Sequence, residues 1–195
     1  MSVVAFLAVG CGQNTQNSQN TQTMDNRDFL QLAADRYSVR SFSPDPVGQE
    51  DIDKILRAGQ LAPTAINSQP QKIYVVKSPE VIAALNTVSP CLYGAPQCFV
   101  FCYDDARVCP RESGGNWGDV DVTIVLTHMA LEAENLGVGS CIVGYYDPEK
   151  LAGVLGLPES EHPVLMMPFG YPTADCTPSP KHTQKLPLDE MVEYR

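Results

Sequence analysis

The chain has 195 residues, 44% of them hydrophobic, and a formal net charge of −10 at pH 7. This length suits one domain with a sizeable core. The acidic balance excludes general affinity for nucleic acid or anionic membranes, which is produced by a basic excess, so any anion site here must be locally basic.

The first 25 residues differ in composition from the rest of the chain. An apolar run at residues 3–9 is too short to span a bilayer, and residues 13–23 contain only Gln, Asn, Thr and Ser. Such a polar tract is typical of a disordered tether. Together the two segments resemble a bacterial lipoprotein signal with lipid attached at Cys11, which predicts an exported, membrane-anchored protein. The alternative is an arbitrary N-terminus on a cytoplasmic protein.

The first predicted helix covers residues 27–36, and two arginines and a serine follow at alternate positions. Residues two apart in an extended backbone share a face, so Arg36, Ser38 and Arg40 should point the same way. Guanidinium groups and a hydroxyl are donors that match phosphate oxygens. The segment therefore predicts a phosphate site. The alternative is arginines that are solvated or paired with nearby acidic side chains.

A second helix is predicted over residues 49–61, and Pro63 ends it. The loop that follows, residues 62–70, has a proline near each end and two side-chain amides, Asn67 and Gln69. Each amide offers a donor and an acceptor, which are the groups needed to read the edge of a heteroaromatic ring. The prolines lower the cost of ordering the loop on binding. The alternative is an ordinary connection from helix to strand.

Strands and helices alternate in the rest of the chain. The strands are predicted at residues 72–77, 98–103, 139–144 and 164–169, and the helices at 79–88, 119–136 and 147–157. The run at 98–103 is apolar throughout, as in a central strand covered on both faces. The helix at 119–136 is apolar around most of its circumference, which favours burial on all sides at a subunit interface. The pattern predicts a single sheet layered by helices.

The sequence indicates neither a metal site nor a nucleophilic dyad or triad. The six cysteines after Cys11 lack the paired spacing of metal ligands, and the three histidines lie far apart. Cys98 and Cys102 fall within an apolar run. They are predicted to be small buried side chains rather than redox centres.

Four segments, in order, resemble motifs of the nitroreductase family of flavin mononucleotide (FMN) enzymes. They are Arg-x-Ser-x-Arg at 36–40, Ala-Pro-Thr-x-x-Asn-x-Gln-Pro at 62–70, Leu-Gly-Val-Gly-Ser-Cys at 136–141 and Gly-Tyr-Pro at 170–172. Four such segments in register across one domain are specific. The resemblance covers residues 26–195. It implies an α+β, three-layer fold, with a central mixed sheet flanked by helices and a long buried helix at a dimer interface.

The resemblance also implies roles for individual residues. The 36–40 segment would hold the flavin phosphate and ribityl chain, and basic residues of the tail would complete that site. Lys185 stands where the family often has arginine, and Lys181 is a second candidate. In a homodimer, the 62–70 loop of one subunit would reach the flavin held by the other. No catalytic residue is assigned, and the implied cofactor-binding residues are Arg36, Ser38, Arg40, Pro63, Thr64, Asn67, Gln69, Val143, Gly144, Lys181 and Lys185.

The chemistry implied by the resemblance is that of an oxidoreductase. Hydride would pass from NAD(P)H to FMN, and the electrons would continue to a nitroaromatic, quinone or similar small-molecule acceptor in a ping-pong cycle. The protein would position and tune the ring, which agrees with the lack of a nucleophilic dyad. The alternatives are another flavin reaction on the same fold, either reductive dehalogenation or flavin breakdown, and a flavin-binding module without turnover.

Overall fold

The computed structural model describes residues 28–195. The helices are α1 Phe29–Asp35, α2 Gln49–Gln60, α3 Pro79–Val88, α4 Gly118–Asn135, α5 Pro148–Leu155 and α6 Leu188–Met191. The strands are β1 Gln71–Val76, β2 Gln97–Asp104, β3 Gly139–Ser140 and β4 Glu161–Gly170. These bounds confirm the predicted helices and strands, with β3 shorter than expected. The predicted signal and tether, including Cys11, lie outside the described residues and stay predictions.

The strands form one sheet in the order β1-β2-β4-β3, and each pair of neighbours is antiparallel. The mixed character that was predicted is confined, in the part of the chain described, to a parallel bridge between Ser38 and Ser140 at the sheet edge. The antiparallel register continues beyond β3 to Val143, which exchanges two backbone hydrogen bonds of 2.9 Å with Met166. Between these pairs the bonding is interrupted, because Pro168 accepts from Cys141 but has no N–H to donate.

Helices cover both faces of the sheet. Side chains alternate along β2, so Phe99 and Phe101 face α2 and α4, whereas Cys98 and Cys102 face α3 and α5. On the first face the rings of Phe99 and Phe169 stack with their centroids 4.2 Å apart. The arrangement is an α+β fold of three layers, as predicted.

The two helices on the first face approach each other closely at Gly59. A Cβ atom at this position would lie 2.7 Å from Cγ and Sδ of Met129, closer than real contacts allow. This packing buries one side of α4. The opposite side, with Val120, Thr127 and His128, is exposed in a single chain. One protomer therefore does not bury α4 on all sides, and the predicted interface would have to do so.

The cysteines of β2 behave as the apolar pattern predicted. Cys98 and Cys102 are fully buried, and burial raises the pKa of each thiol to about 12. Residues 28–195 contain no cluster of three or more side chains suited to a metal ion. Over the same residues, the helices fall short of the length and hydrophobicity required to cross a membrane.

Candidate functional site

Residues 36–40, which we name the cradle, run as an extended segment beside β3. Val39 is fully buried, and its N–H donates to the carbonyl oxygen of Ser140 over 3.0 Å. Ser38 and Arg40 flank this inward residue and so point away from the core. Arg36 stands at the C-terminal cap of α1, where the helical dihedral angles end. The predicted alternation is therefore present in the structure.

The cradle lines a cavity of about 210 Å³. The tail of the chain forms the other wall, and the lining residues are Arg36, Tyr37, Ser38, Arg40, Ser179, Lys181 and His182. This donor set contains three cations and two serine hydroxyls, with no carboxylate. It suits an anion with several oxygens, such as a phosphate group.

The ion pairs between described residues do not include Arg36, Arg40 or Lys181. Asp35 accepts a hydrogen bond of 2.7 Å from Gln31, and Asp45 accepts one of 2.6 Å from Ser43. In a chain with a net charge of −10, three cations on one cavity make this surface locally basic, as an anion site requires.

The tail residues that line the cavity differ from the two lysines predicted for this role. Lys181 lines the cavity, whereas Lys185 does not, and the role of Lys185 stays a prediction. Ser179 and His182 also line it, although neither belongs to a motif read from the sequence. Their closeness in sequence to Lys181 was the only available signal.

The third motif, residues 136–141, packs directly against the cradle. A Cβ atom at Gly139 would lie 2.7 Å from Cγ2 of Val39, so glycine is what lets Val39 pack there. Burial raises the pKa of the Cys141 thiol, while the charge of Arg40 and a hydrogen bond with Ser38 oppose the increase. The structure thus brings two of the sequence motifs into direct contact.

The 62–70 loop has a backbone conformation that is rare outside glycine. Ile66, Asn67 and Gln69 have φ angles of 49°, 57° and 49°. The left-handed region costs a residue with a Cβ atom about 1–2 kcal/mol. Such strain persists where the surrounding structure holds it, and it is concentrated at ligand sites. The side chains of Asn67 and Gln69 are exposed, as ligand contact requires.

A buried carboxylate on α4 holds this loop. Asp121 is 2% exposed, and its Oδ1 accepts a hydrogen bond of 2.8 Å from the N–H of Ala65. Its Oδ2 is buried and has no partner among the described residues. Within the loop, the hydroxyl of Thr64 accepts from the N–H of Gln69 over 3.0 Å. Asp121 was missed in the sequence, although an acid between apolar helix positions is itself a signal, because charged residues are rarely buried without a partner.

The turn after β3 offers one of its two predicted residues as a backbone donor. The N–H and carbonyl of buried Val143 are both bonded to Met166. Gly144 is exposed, and its N–H has no partner among the described residues. Of the two predicted residues, Gly144 is therefore the one whose N–H is available to a ligand.

A single chain does not bring every predicted residue together. The cavity at the cradle includes none of the 62–70 loop, so Pro63, Thr64, Asn67 and Gln69 lie apart from Arg36, Ser38 and Arg40. The resemblance implied this separation, since it assigned the loop to a partner's flavin.

The antiparallel sheet between helical layers defines an α+β domain with a basic cavity at the sheet edge. A sequence model of the nitroreductase family matches residues 33–89 and 88–171. The chain belongs to the nitroreductase family.

Known relatives and solved structures agree with this assignment. The chain is 30% identical over 169 residues to an NADPH-dependent oxidoreductase of Staphylococcus epidermidis, covering 77% of this chain and 67% of the relative. It is 28% identical over 177 residues to the FMN reductase (NAD(P)H) of Bacillus subtilis, covering 81% and 71%. It is 32% identical to a nitroreductase family protein from Clostridium difficile 630 of known crystal structure, with a TM-score of 0.81 over 86% of this chain and 98% of that one.

Proposed function

We propose that the protein is an FMN-dependent oxidoreductase that uses NAD(P)H, and that the cavity at the cradle binds the FMN phosphate. The observation that carries the proposal is the convergence of Arg36, Arg40 and Lys181 on one cavity without a carboxylate. A phosphate monoester carries close to two negative charges at pH 7 and offers three acceptor oxygens. The donors match this group in charge and number.

Bound FMN would supply the redox chemistry, taking hydride from NAD(P)H and delivering two electrons to a nitroaromatic, quinone or similar acceptor in a ping-pong cycle. The residues of the chain bind and orient. The guanidinium groups of Arg36 and Arg40 can each donate two hydrogen bonds to phosphate oxygens, which would fix the orientation of the phosphate as well as its position. The N–H of Gly144, which has no partner among the described residues, would be a backbone donor to the ring. This division needs no nucleophile from the protein.

We further propose that the functional unit is a homodimer, in which Asn67 and Gln69 of a second copy reach the ring. α1 has no buried residue, and its Phe29 and Leu30 are 63% and 74% exposed. Ile66, in the 62–70 loop, is 85% exposed. Phe29 and Leu30 form one exposed apolar pair and Ile66 lies in a separate loop, and exposed apolar surface of this kind is typical of an interface. The exposed side of α4 supports the same arrangement.

The first experiment is spectroscopic and needs the full chain. The purified protein is expected to be yellow and to release FMN on denaturation. Arg36→Ala and Arg40→Ala should each weaken FMN binding by about 1.5–3 kcal/mol, the scale of a charged hydrogen bond. Arg57→Ala is the matched control, because Arg57 lies on α2, where it bonds Gln60.

Two results would contradict the assignment in different ways. A colourless protein that takes up no FMN would overturn the proposed function. Unchanged FMN affinity in both arginine variants would be compatible with flavin binding but would contradict the assignment of the phosphate to the cradle.

The acceptor and the cycle are tested by steady-state kinetics. Oxidation of NAD(P)H should require a nitroaromatic or a quinone, and double-reciprocal plots at several acceptor concentrations should be parallel, as in a ping-pong cycle. Intersecting lines would contradict the cycle. Bound FMN that NAD(P)H cannot reduce under anaerobic conditions would contradict turnover altogether.

A further inference from the structure

The C-terminal tail is attached to the body of the domain through His182. Its Nε2 lies 2.9 Å from the carbonyl oxygen of Ala34 in α1, and its ring meets Tyr37 edge-on with the centroids 6.4 Å apart. Among hydrogen bonds between described residues, this is the one that joins residues 177–195 to the rest of the chain. The other bonds of the tail are local, such as the 2.8 Å bond from the N–H of His182 to Ser179.

The acceptor in this bond determines which atom donates. A carbonyl oxygen can only accept, so Nε2 carries the hydrogen in both the neutral and the protonated ring. Ala34 belongs to the last turn of α1, whose carbonyl groups have no partner within the helix. The bond therefore satisfies a group that would otherwise rely on solvent.

This attachment acts next to the phosphate cavity. Lys181 directly precedes His182, and both line the cavity opposite Arg36 and Arg40. A lysine on an unattached segment would lose conformational freedom when it meets an anion, and that cost would weaken the contact. With His182 bonded to α1, much of this ordering is present before a ligand arrives.

We propose that His182 is a positioning residue that holds Lys181 in the phosphate cavity. The tail then becomes a determinant of selectivity for the phosphorylated flavin over riboflavin, which lacks the phosphate. This inference rests on the proposed function, because it takes FMN as the ligand. Its scope is narrower, since it concerns how strongly the phosphate end is held and not whether flavin binds.

Two substitutions separate the hydrogen bond from the ring contact. His182→Gln keeps an N–H donor near the position of Nε2 and removes the ring, whereas His182→Phe keeps a ring against Tyr37 and removes the donor. His182→Phe should lower FMN affinity about tenfold, the scale of one hydrogen-bonded contact, and leave riboflavin affinity unchanged. His182→Gln should retain the selectivity of the unmodified protein.

A double-mutant cycle tests whether His182 acts through Lys181. Lys181→Ala should also lower FMN affinity, and adding His182→Phe to it should cause little further loss, because the group to be positioned is gone. Additive losses would contradict the positioning role. Amide hydrogen exchange in residues 177–187 of the flavin-free full chain provides a readout without ligand, and His182→Phe should accelerate it while His182→Gln should not.

The outcomes distinguish this inference from the proposed function. If the unmodified protein binds FMN and His182→Phe keeps its preference over riboflavin, the inference is overturned and the function stands. Equal losses of FMN and riboflavin affinity would also overturn it, since they indicate a general structural effect. If the unmodified protein binds neither flavin, both fail together.

Discussion

Removal of the Asp121 carboxylate is expected to release the 62–70 loop. The bond from the N–H of Ala65 to Oδ1 is 2.8 Å long and ends on a buried charged group, so its loss should cost the held conformation about 1.5–3 kcal/mol. Ile66 and Gln69 have positive φ without the tolerance that asparagine has for this region, which stores about 2–4 kcal/mol in all. The bond to Asp121 is therefore comparable in size to the stored strain. Asp121→Ala should raise the population of open loop about 10- to 150-fold.

Amide hydrogen exchange in the flavin-free full chain measures this opening directly. In Asp121→Ala the N–H of Ala65 should exchange about 10- to 150-fold faster, while that of Ile55 in the buried part of α2 stays slow. Asp121→Asn retains an acceptor oxygen without the charge and should give an intermediate rate. Asp119→Ala, an exposed acid in the same turn of α4, is the control. Unaltered exchange at Ala65 in Asp121→Ala would refute the reasoning.

Two further predictions concern the core. Gly59→Ala should lower the free energy of unfolding in urea by about 1 kcal/mol, because overpacking against Met129 exceeds the gain in helix propensity. A Cβ atom at Gly153 in α5 would meet nothing within 4 Å, so Gly153→Ala should instead stabilise the protein. If both variants were stabilised, the close packing of Gly59 against Met129 would be contradicted. Stability should also fall as pH rises from about 8.5 toward 12, because the unfolded chain then loses thiol protons that folded Cys98 and Cys102 retain. Replacing both cysteines by alanine should make stability less dependent on pH in this range. The same dependence in the unmodified protein and the double variant would contradict the role of the thiols.

The helices and most of the strands were predictable because their signals are local. Ser78 and Asp147 cap α3 and α5 with side-chain acceptors, and a proline follows each cap at the first helical position. The shortening of β3 was not predictable in this way. It depends on Pro168 lying opposite Cys141, a pairing that exists only once the register of the sheet is set.

The candidate site also combines features with a local sequence signal and features that depend on tertiary contacts. Ser38 and Arg40 could be placed on one face because a buried residue separates them, and this alternation is written in adjacent positions. The parts that sequence reasoning missed are tertiary. His182 meets a carbonyl 148 positions away, and Asp121 meets a backbone N–H 56 positions away. Neither contact leaves a periodic or motif-like trace, so only the packed structure reveals it.

The edge segment at residues 139–143 has a consequence for ligand length. Ser140 pairs with the cradle at one end, Val143 fixes the turn at the other, and both are bonded to β4. Three residues of extended chain span about 10 Å, so in the proposed flavin site the backbone would fix the distance between the phosphate contacts and the turn. One inserted residue would lengthen this distance by about 3.3 Å and turn the following side chains to the opposite face. Discrimination between long and short phosphorylated ligands would thus reside in the backbone itself.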